Sequence, residues 1–589
     1  MPKCVRLLAL PAIFALILAP GCSKSPSEKL TQLSSDFAYG VLSASPSSAT
    51  AAGLHIYRGM QLDNMLDDVS PAAFEKQRQF YAKCKSRLEE IDAAQLSPED
   101  KADYAIIQNQ IGLAQLDLND VHPELHAPQM YVEILGNALF SPLMLDYAPR
   151  TDRLRQIIAR LQKVPLFLDT AATNLASSPD VWTQVAIQEN QGNINLVDRE
   201  IRAQVTTDLH DAYARAARPA LDAMNKFDRY LRENLSQRNG ADWRLNNRYS
   251  TKFRLAMAAG VEADDVLQAA ERQLVAVRTH MLQLALPLHA ELFPSHKDHA
   301  ALSTEDRINT VVGEVLDSIA KNHSTPESYM DDARKDLDEA RAFARQKHLL
   351  TLPTASNLQV IPTPEFMRGI YAVGGFNPAP ALEPQLGAFY WVTPIPADWP
   401  AERVESKLRE YNFYKLKLLT VHEAMPGHYV QFEFANAVQP PIRRLLRAIF
   451  GNGPYIEGWA QYITQAMLDA GFLDHSPELA LTFAKEELRV LANTILDIRL
   501  QMLGMSDQEA LDLMTKQTFQ EKEEATAKLQ RAKLSSAQLP TYYVGWKAWT
   551  KLRDERRQKL GTAFNLQTFN DAALKEGAVP IAQLEGLMK

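Results

Sequence analysis

From residue 36 to about residue 350, apolar residues return every three or four positions with charged residues between them. "AAFEKQRQFYAKCKSRLEEIDAA", "RTDRLRQIIARLQKVPLFLDTAATNLA" and "DDVLQAAERQLVAVRTHMLQLALPLHAEL" carry this pattern, which predicts amphipathic helices. The breaks hold Pro, Asp, Asn or Ser, and "LSPED" and "STPESY" read as helix starts. The pattern changes between residues 351 and 400, where nine prolines and four glycines exclude a run of regular helices. Within that window "GAFYWVTPI" (387–395) is aromatic and β-branched and predicts a strand. Helix returns near Glu402 and continues through "ESKLREYNFYKLKLLTVHEA"; "YIEGWAQYITQAMLDAG" and "ELALTFAKEELRVLANTILDIRLQMLG" follow. The expected fold is mainly α, with one small sheet beside the helix that ends in His422. An N-terminal helical part (36–350) and a C-terminal part (351–589) are expected.

The first 30 residues follow a different logic. Lys3 and Arg6 precede an apolar run from Leu7 to Ala19 and then "APGC". This is a signal peptide (1–22), too short and wrongly flanked for a membrane span. Its end resembles the lipobox of bacterial lipoproteins, which implies acylation of Cys22 and, with Ser23 next, an outer-membrane destination. Ordinary secretion with cleavage nearby is the alternative. Residues 23–35 read as a tether. Cys84 is then the only cysteine in the body, so no disulfide staples the exported chain. A net charge of -8 over 589 residues gives no reason to expect nucleic-acid binding. The chain lacks G-x-x-x-x-G-K-[ST], G-x-S-x-G and C-x-x-C motifs.

The candidate chemistry lies in "LTVHEAMPGHYVQ" (419–431). In H-E-x-x-H a four-residue step puts both histidines on one helix face. Here the step from His422 to His428 is six residues, about 240° net on an ideal helix, which separates the rings. Pro426 removes a helical hydrogen bond and Gly427 relaxes φ, so a kink or π-type bulge is expected to bring both rings to one ion. "PYIEGWAQY" offers Glu457, 29 residues after His428, as the third ligand, the arrangement of gluzincin metallopeptidases. Glu423 is the expected general base.

"HEAMPGHYVQ" with "EGWAQY" resembles the bacterial domain-of-unknown-function family 885. The resemblance extends to "SPSSATAAGLHIY" (45–57), to "YAVGGFNPAPALEPQLGAFYWVTP", and to the C-terminal segment from "YYVGWKAW" to "LEGLM", nearly the whole mature chain. It implies a large two-lobed helical metallopeptidase-like fold similar to the cowrin group, with a deep cleft. It implies one Zn2+ held by His422, His428 and Glu457, with Glu423 as base. It implies an oxyanion donor at Tyr542, with Tyr543 as the alternative, and a pair at Asp497 and Arg499 that orients ligands. Arg489 is a weaker candidate, and Gln501 stands where the family often has histidine. "AFYWVTPI", with Tyr390, is placed to bind substrate backbone. The expected function is a zinc metallopeptidase or peptide amidase acting on oligopeptides; the alternative is a non-catalytic envelope lipoprotein of the same fold that binds peptides or a partner. The membrane is expected only through the lipid anchor.

Overall fold

This computed structural model describes residues 24–588 apart from 297–298, 355–356, 369–370 and 372. The signal peptide and Cys22 lie outside the described residues. The expected tether is corrected: helix α1 (Pro26–Ala44) begins within it, because Ser25 and Glu28 form a capping box and Pro26 occupies the first turn. Cys84 is a buried helix residue whose thiol is pushed up to about 11 by burial, which fits a packing role.

The molecule is mainly helical, and among the described residues no helix is long and apolar enough to cross a membrane. The elements used below are α2 (Pro128–Met144), α3 (Asp180–Asn195), α4 (Ala263–Leu292) and α5 (Thr304–Ile319). Three strands follow, β1 (Leu358–Pro362), β2 (Gly374–Asn377) and β3 (Ala388–Val392). Then come α6 (Phe413–Glu423), α7 (His428–Asn436) and α8 (Gly453–Asp469). Helices α9 (Pro477–Met502), α10 (Lys522–Leu534) and α11 (Pro540–Leu560) complete the set. The helix expected from Glu402 through the motif is two helices. Asn412 divides them by accepting the amides of Tyr414 and Lys415 at 3.1 and 3.2 Å as the N-cap of α6.

One large core gathers Ala102 and residues between Leu245 and Met588 and includes α4, α5, α6, α8, α9 and α11. A second gathers residues from Leu66 to Leu235. Helices on both sides of residue 350 share the large core. Strand β3 joins the two cores. It is the middle strand of the sheet, parallel to β1 and antiparallel to β2. Ala388, Tyr390 and Val392 enter the large core while Phe389 and Trp391 enter the second. Side chains alternate across a strand, so burial on both faces requires the unbroken apolar run seen in the sequence.

The second core holds an unpaired buried carboxylate. Neither oxygen of Glu189 on α3 has a hydrogen-bond partner among the described residues, and burial, with Glu133 of α2 adding repulsion, pushes its carboxyl up to about 9. A folded-state value above the unfolded one means the contribution to stability is complete below about pH 4.5 and lost as pH rises through about 9. Glu189→Gln removes that loss, so its expected gain in stability is small at pH 4 and grows to several kcal/mol, on the order of 5, by pH 8. Urea midpoints across that range, parallel for the variant and wild type, would sink the assignment.

Candidate metal centre

Helix α6 ends at Glu423 and α7 begins at His428. The expected kink or π-bulge is corrected to a full break between two helices. A tight turn through Ala424–Gly427 folds the chain back. The amide of Gly427 donates to the Val421 carbonyl at 2.9 Å, and Ala424 and Met425 both donate to Thr420. The Met425–Pro426 peptide is cis. With a new axis for α7, the six-residue step no longer separates the histidines, and their ring centroids lie 4.8 Å apart.

Glu457 in the second turn of α8 closes the set. Its Oε2 is 3.5 Å from His422 Nε2 and 3.4 Å from His428 Nε2. A cation with tetrahedral bonds of about 2.0–2.1 Å has ligands about 3.3–3.4 Å apart, so both edges match zinc coordination with little movement. Glu457 Oε2 is buried and has no hydrogen-bond partner among the described residues. Burial raises the Glu457 carboxyl, but the two facing imidazoles outweigh it and hold it well below the usual carboxylate range. The glutamate is thus an anion ready to ligate at any working pH. These residues fit a divalent cation.

"EGWAQY" supplies more than the ligand. One turn beyond Glu457, Gln461 has its side-chain amide 3.5 Å from His422 Nδ1. With the amide oxygen turned there it accepts Nδ1–H and leaves the Nε2 lone pair aimed at the cluster. The Trp459 indole donates to the carbonyls of Pro426 and Gly427, both at 3.2 Å, and satisfies groups freed by the helix break. Gly458 lets α11 cross against α8: a Cβ there would lie 2.3 Å from the Gly545 carbonyl carbon. That approach brings Tyr542, one turn before Gly545, over His422, with rings 6.0 Å apart and nearly parallel. Sequence reading missed Gln461 and Trp459; the i, i+4 step from Glu457 to Gln461 was the available signal for the first.

Glu423 and Tyr542 both line a cavity of about 350 Å3 that opens beside His422. Among the described residues the Glu423 carboxylate has no hydrogen bond or ion pair. Asp497 lies behind the site, fully buried, and accepts the amides of Ala537 and Leu539 at 3.0 and 3.2 Å. Burial pushes its carboxyl up to about 6 against these bonds. It secures the turn before α11 from which Gln538 reaches within 3.5 Å of Glu457 Oε1. Asp497 thus reaches Glu457 only indirectly, through the turn that carries Gln538.

Other expectations are corrected. Arg499 points away and pairs with Glu271 near the surface, because α9 turns about 200° between positions 497 and 499. Tyr543 reaches Gln273, 3.4 Å away, not the cluster, and Tyr542 alone of the pair lines the cavity. Tyr390 is fully buried with its hydroxyl 3.2 Å from Thr420, so it is a core residue. Strand β3 is paired on both edges and cannot take a substrate strand. The edge strands are β1 and β2; the Gly374 of β2 lines the cavity and its Phe376 ring lies 6.5 Å from His428. Gln501 donates to Ser535 and accepts the Leu245 amide, a structural role.

Arg489 does line the cavity, beside Lys415, Lys528 and Arg531. It donates to Tyr411 at 2.9 Å and to Glu524 at 2.5 Å. Burial, then the adjacent Arg489 charge, pushes the Lys415 and Lys528 ammonium groups well below their usual range. Sequence reading missed this basic wall, whose members come from three helices, α6, α9 and α10.

The molecule is thus a mainly helical protein built around a two-histidine, one-glutamate cluster. Residues 46–588 match the model of the family described as bacterial protein of unknown function, DUF885, and the chain belongs to that family. A candidate lipoprotein of unknown function from Shewanella oneidensis has a similar structure, with 28% identity and a TM-score of 0.75 over 95% of this chain and 99% of that one. A candidate lipoprotein from Colwellia psychrerythraea shares the fold at 18% identity, with a TM-score of 0.75 over 96% of this chain and 98% of that one. No curated protein matches the chain significantly.

Proposed function

We propose that the protein is an exported zinc-dependent peptidase that cleaves oligopeptides in a metallopeptidase-like cleft between helical lobes. The observation that carries this reading is the cluster of His422, His428 and Glu457, of which His422 lines the same cavity as its sequence neighbour Glu423. Zinc bound there supplies a Lewis acid that polarises a carbonyl and makes water acidic enough to be deprotonated near neutral pH. Glu423 takes the proton from the attacking water and passes it to the leaving amine. The Tyr542 hydroxyl, which burial keeps protonated, donates to the developing oxyanion. The free edge of β2 pairs with the peptide backbone. The basic side chains of the cavity wall, of which Lys415 pairs with Glu486 and Arg489 with Glu524, favour peptides carrying an anionic group. Acylation of Cys22 anchors the body to an envelope membrane, a reading supported by the two similar structures of candidate lipoproteins.

The test uses the zinc-loaded chain and a mixed peptide library read by mass spectrometry. Cleavage is expected, with loss on chelation and recovery on adding zinc. Stoichiometric zinc with every peptide intact would overturn the enzymatic reading in favour of a binding lipoprotein.

A further inference from the structure

A second convergence of ligand atoms lies outside the cavity, where α4 passes into α5. The sequence there is "HAELFPSHKDHA" (289–300). His289 sits in the last turn of α4, buried to 2% exposure. His296 and His299 lie on the connection, and Glu314 comes from α5. A single oxygen, Glu314 Oε2, is 2.6 Å from His289 Nε2, 3.3 Å from His296 Nδ1 and 3.7 Å from His299 Nε2. One ligand atom from each of the four lies within 4.8 Å of the others. His299 Nε2 is buried without a hydrogen-bond partner among the described residues.

Ordinary ion pairing accounts poorly for this arrangement. Three imidazolium rings around one carboxylate would leave excess positive charge in a small, partly buried space. Three neutral rings would crowd one oxygen with donors and still leave the His299 nitrogen unused. A divalent cation removes both difficulties, because each ring then offers a lone pair and the carboxylate its charge. The spacings scatter around the tetrahedral edge of about 3.3–3.4 Å, and His289 would move outward by less than an ångström. The α4 C-terminus, whose last carbonyls carry partial negative charge, also favours a cation there.

We propose that His289, His296, His299 and Glu314 form a second metal site, for a transition-metal dication such as zinc. Three imidazoles argue against calcium or magnesium, which take oxygen ligands. Four protein ligands leave no open position, so the site is structural: it staples the connection to the ends of α4 and α5. Leu292 and Leu302 on this segment are 44% and 42% exposed, so the connection gains little from apolar burial.

The test is zinc content by elemental analysis after chelation, dialysis against zinc and washing. The full chain, His296→Ala, His428→Ala and the double variant are compared. The His296 side chain is 45% exposed, so its truncation removes a ligand without opening the core. The expected contents are about two zinc ions for wild type, about one for each single variant and none for the double variant. In His428→Ala, added zinc should raise the melting temperature, and the further change His296→Ala should abolish that rise. Tetrahedral Co2+ absorption bands in His428→Ala should vanish likewise. Wild-type content of about one, unchanged in His296→Ala and lost in His428→Ala, would overturn the second site and leave the proposed peptidase standing. Content retained in His428→Ala and lost with His296→Ala would support the second site and count against the peptidase centre.

Discussion

Glu423→Gln should keep its zinc and fold and lose roughly 10^2–10^4 of its kcat/KM toward any peptide the wild type cleaves. The substitution is nearly isosteric, and the carboxylate it replaces has no partner to lose. No cap, ion pair or buried bond depends on it, so stability and metal content should match wild type. What disappears is the capacity to accept a proton at the mouth of the cavity. KM should change little, because peptide contacts with β2 and the basic wall are untouched. A variant that binds peptide normally but leaves it intact, beside an active wild type, assigns the base. Equal activity in the two proteins removes Glu423 from the mechanism.

How far this site could be read in advance differs from residue to residue. That His422, His428 and Glu457 come together was legible because they stand within short, quotable strings, and the Pro-Gly pair announced a broken helix. The form of the break was not legible. Local rules permit a kink, a bulge or a turn equally, and the turn is selected by Trp459, which reaches it from 32 or 33 residues away to bind its carbonyls. Helical periodicity located most of α4, α8 and α9, since an amphipathic stripe is a local property. It could not say that β3 is a central strand, because edge and middle are decided by partners that arrive from elsewhere. The same limit explains Arg499, Tyr543 and Tyr390. Arg499 lies two positions beyond Asp497 on α9, Tyr543 one beyond Tyr542 on α11, and Tyr390 on the large-core face of β3, and the helix or strand period turns each away from the cluster. The histidines near residue 290 were visible as letters. Their spacings of seven and three would suit one helix face, but α4 ends at Leu292 with Pro294 just beyond it, and Glu314 enters only when α5 packs on α4.

The second large effect concerns Gly427 and tests the turn itself. A Cβ at this position would lie 1.8 Å from the His422 carbonyl oxygen and 2.4 Å from that of Val421. Both are backbone atoms in the last turn of α6, so no side-chain rotation relieves the clash. Gly427→Ala must therefore push α7 away from α6, and His428, the next residue, moves with it. Separating the rings from their 4.8 Å approach takes one nitrogen out of coordination range and pulls the Gly427 carbonyl off Trp459. Overpacking against a rigid backbone costs about 1–3 kcal/mol or more, and the melting temperature of the metal-free protein should fall accordingly. Zinc affinity should fall by at least roughly 100-fold, beyond what loss of an outer hydrogen bond alone produces. Gly586→Ala is the control, since a Cβ there meets nothing within 4 Å, and it should behave as wild type in both measurements. Isothermal titration with zinc and thermal melts of the three proteins decide the matter. Wild-type affinity in Gly427→Ala would mean that the turn can relax without moving His428. The absence of a side chain between the two histidines would then not be the condition that lets a six-residue spacing bind one ion.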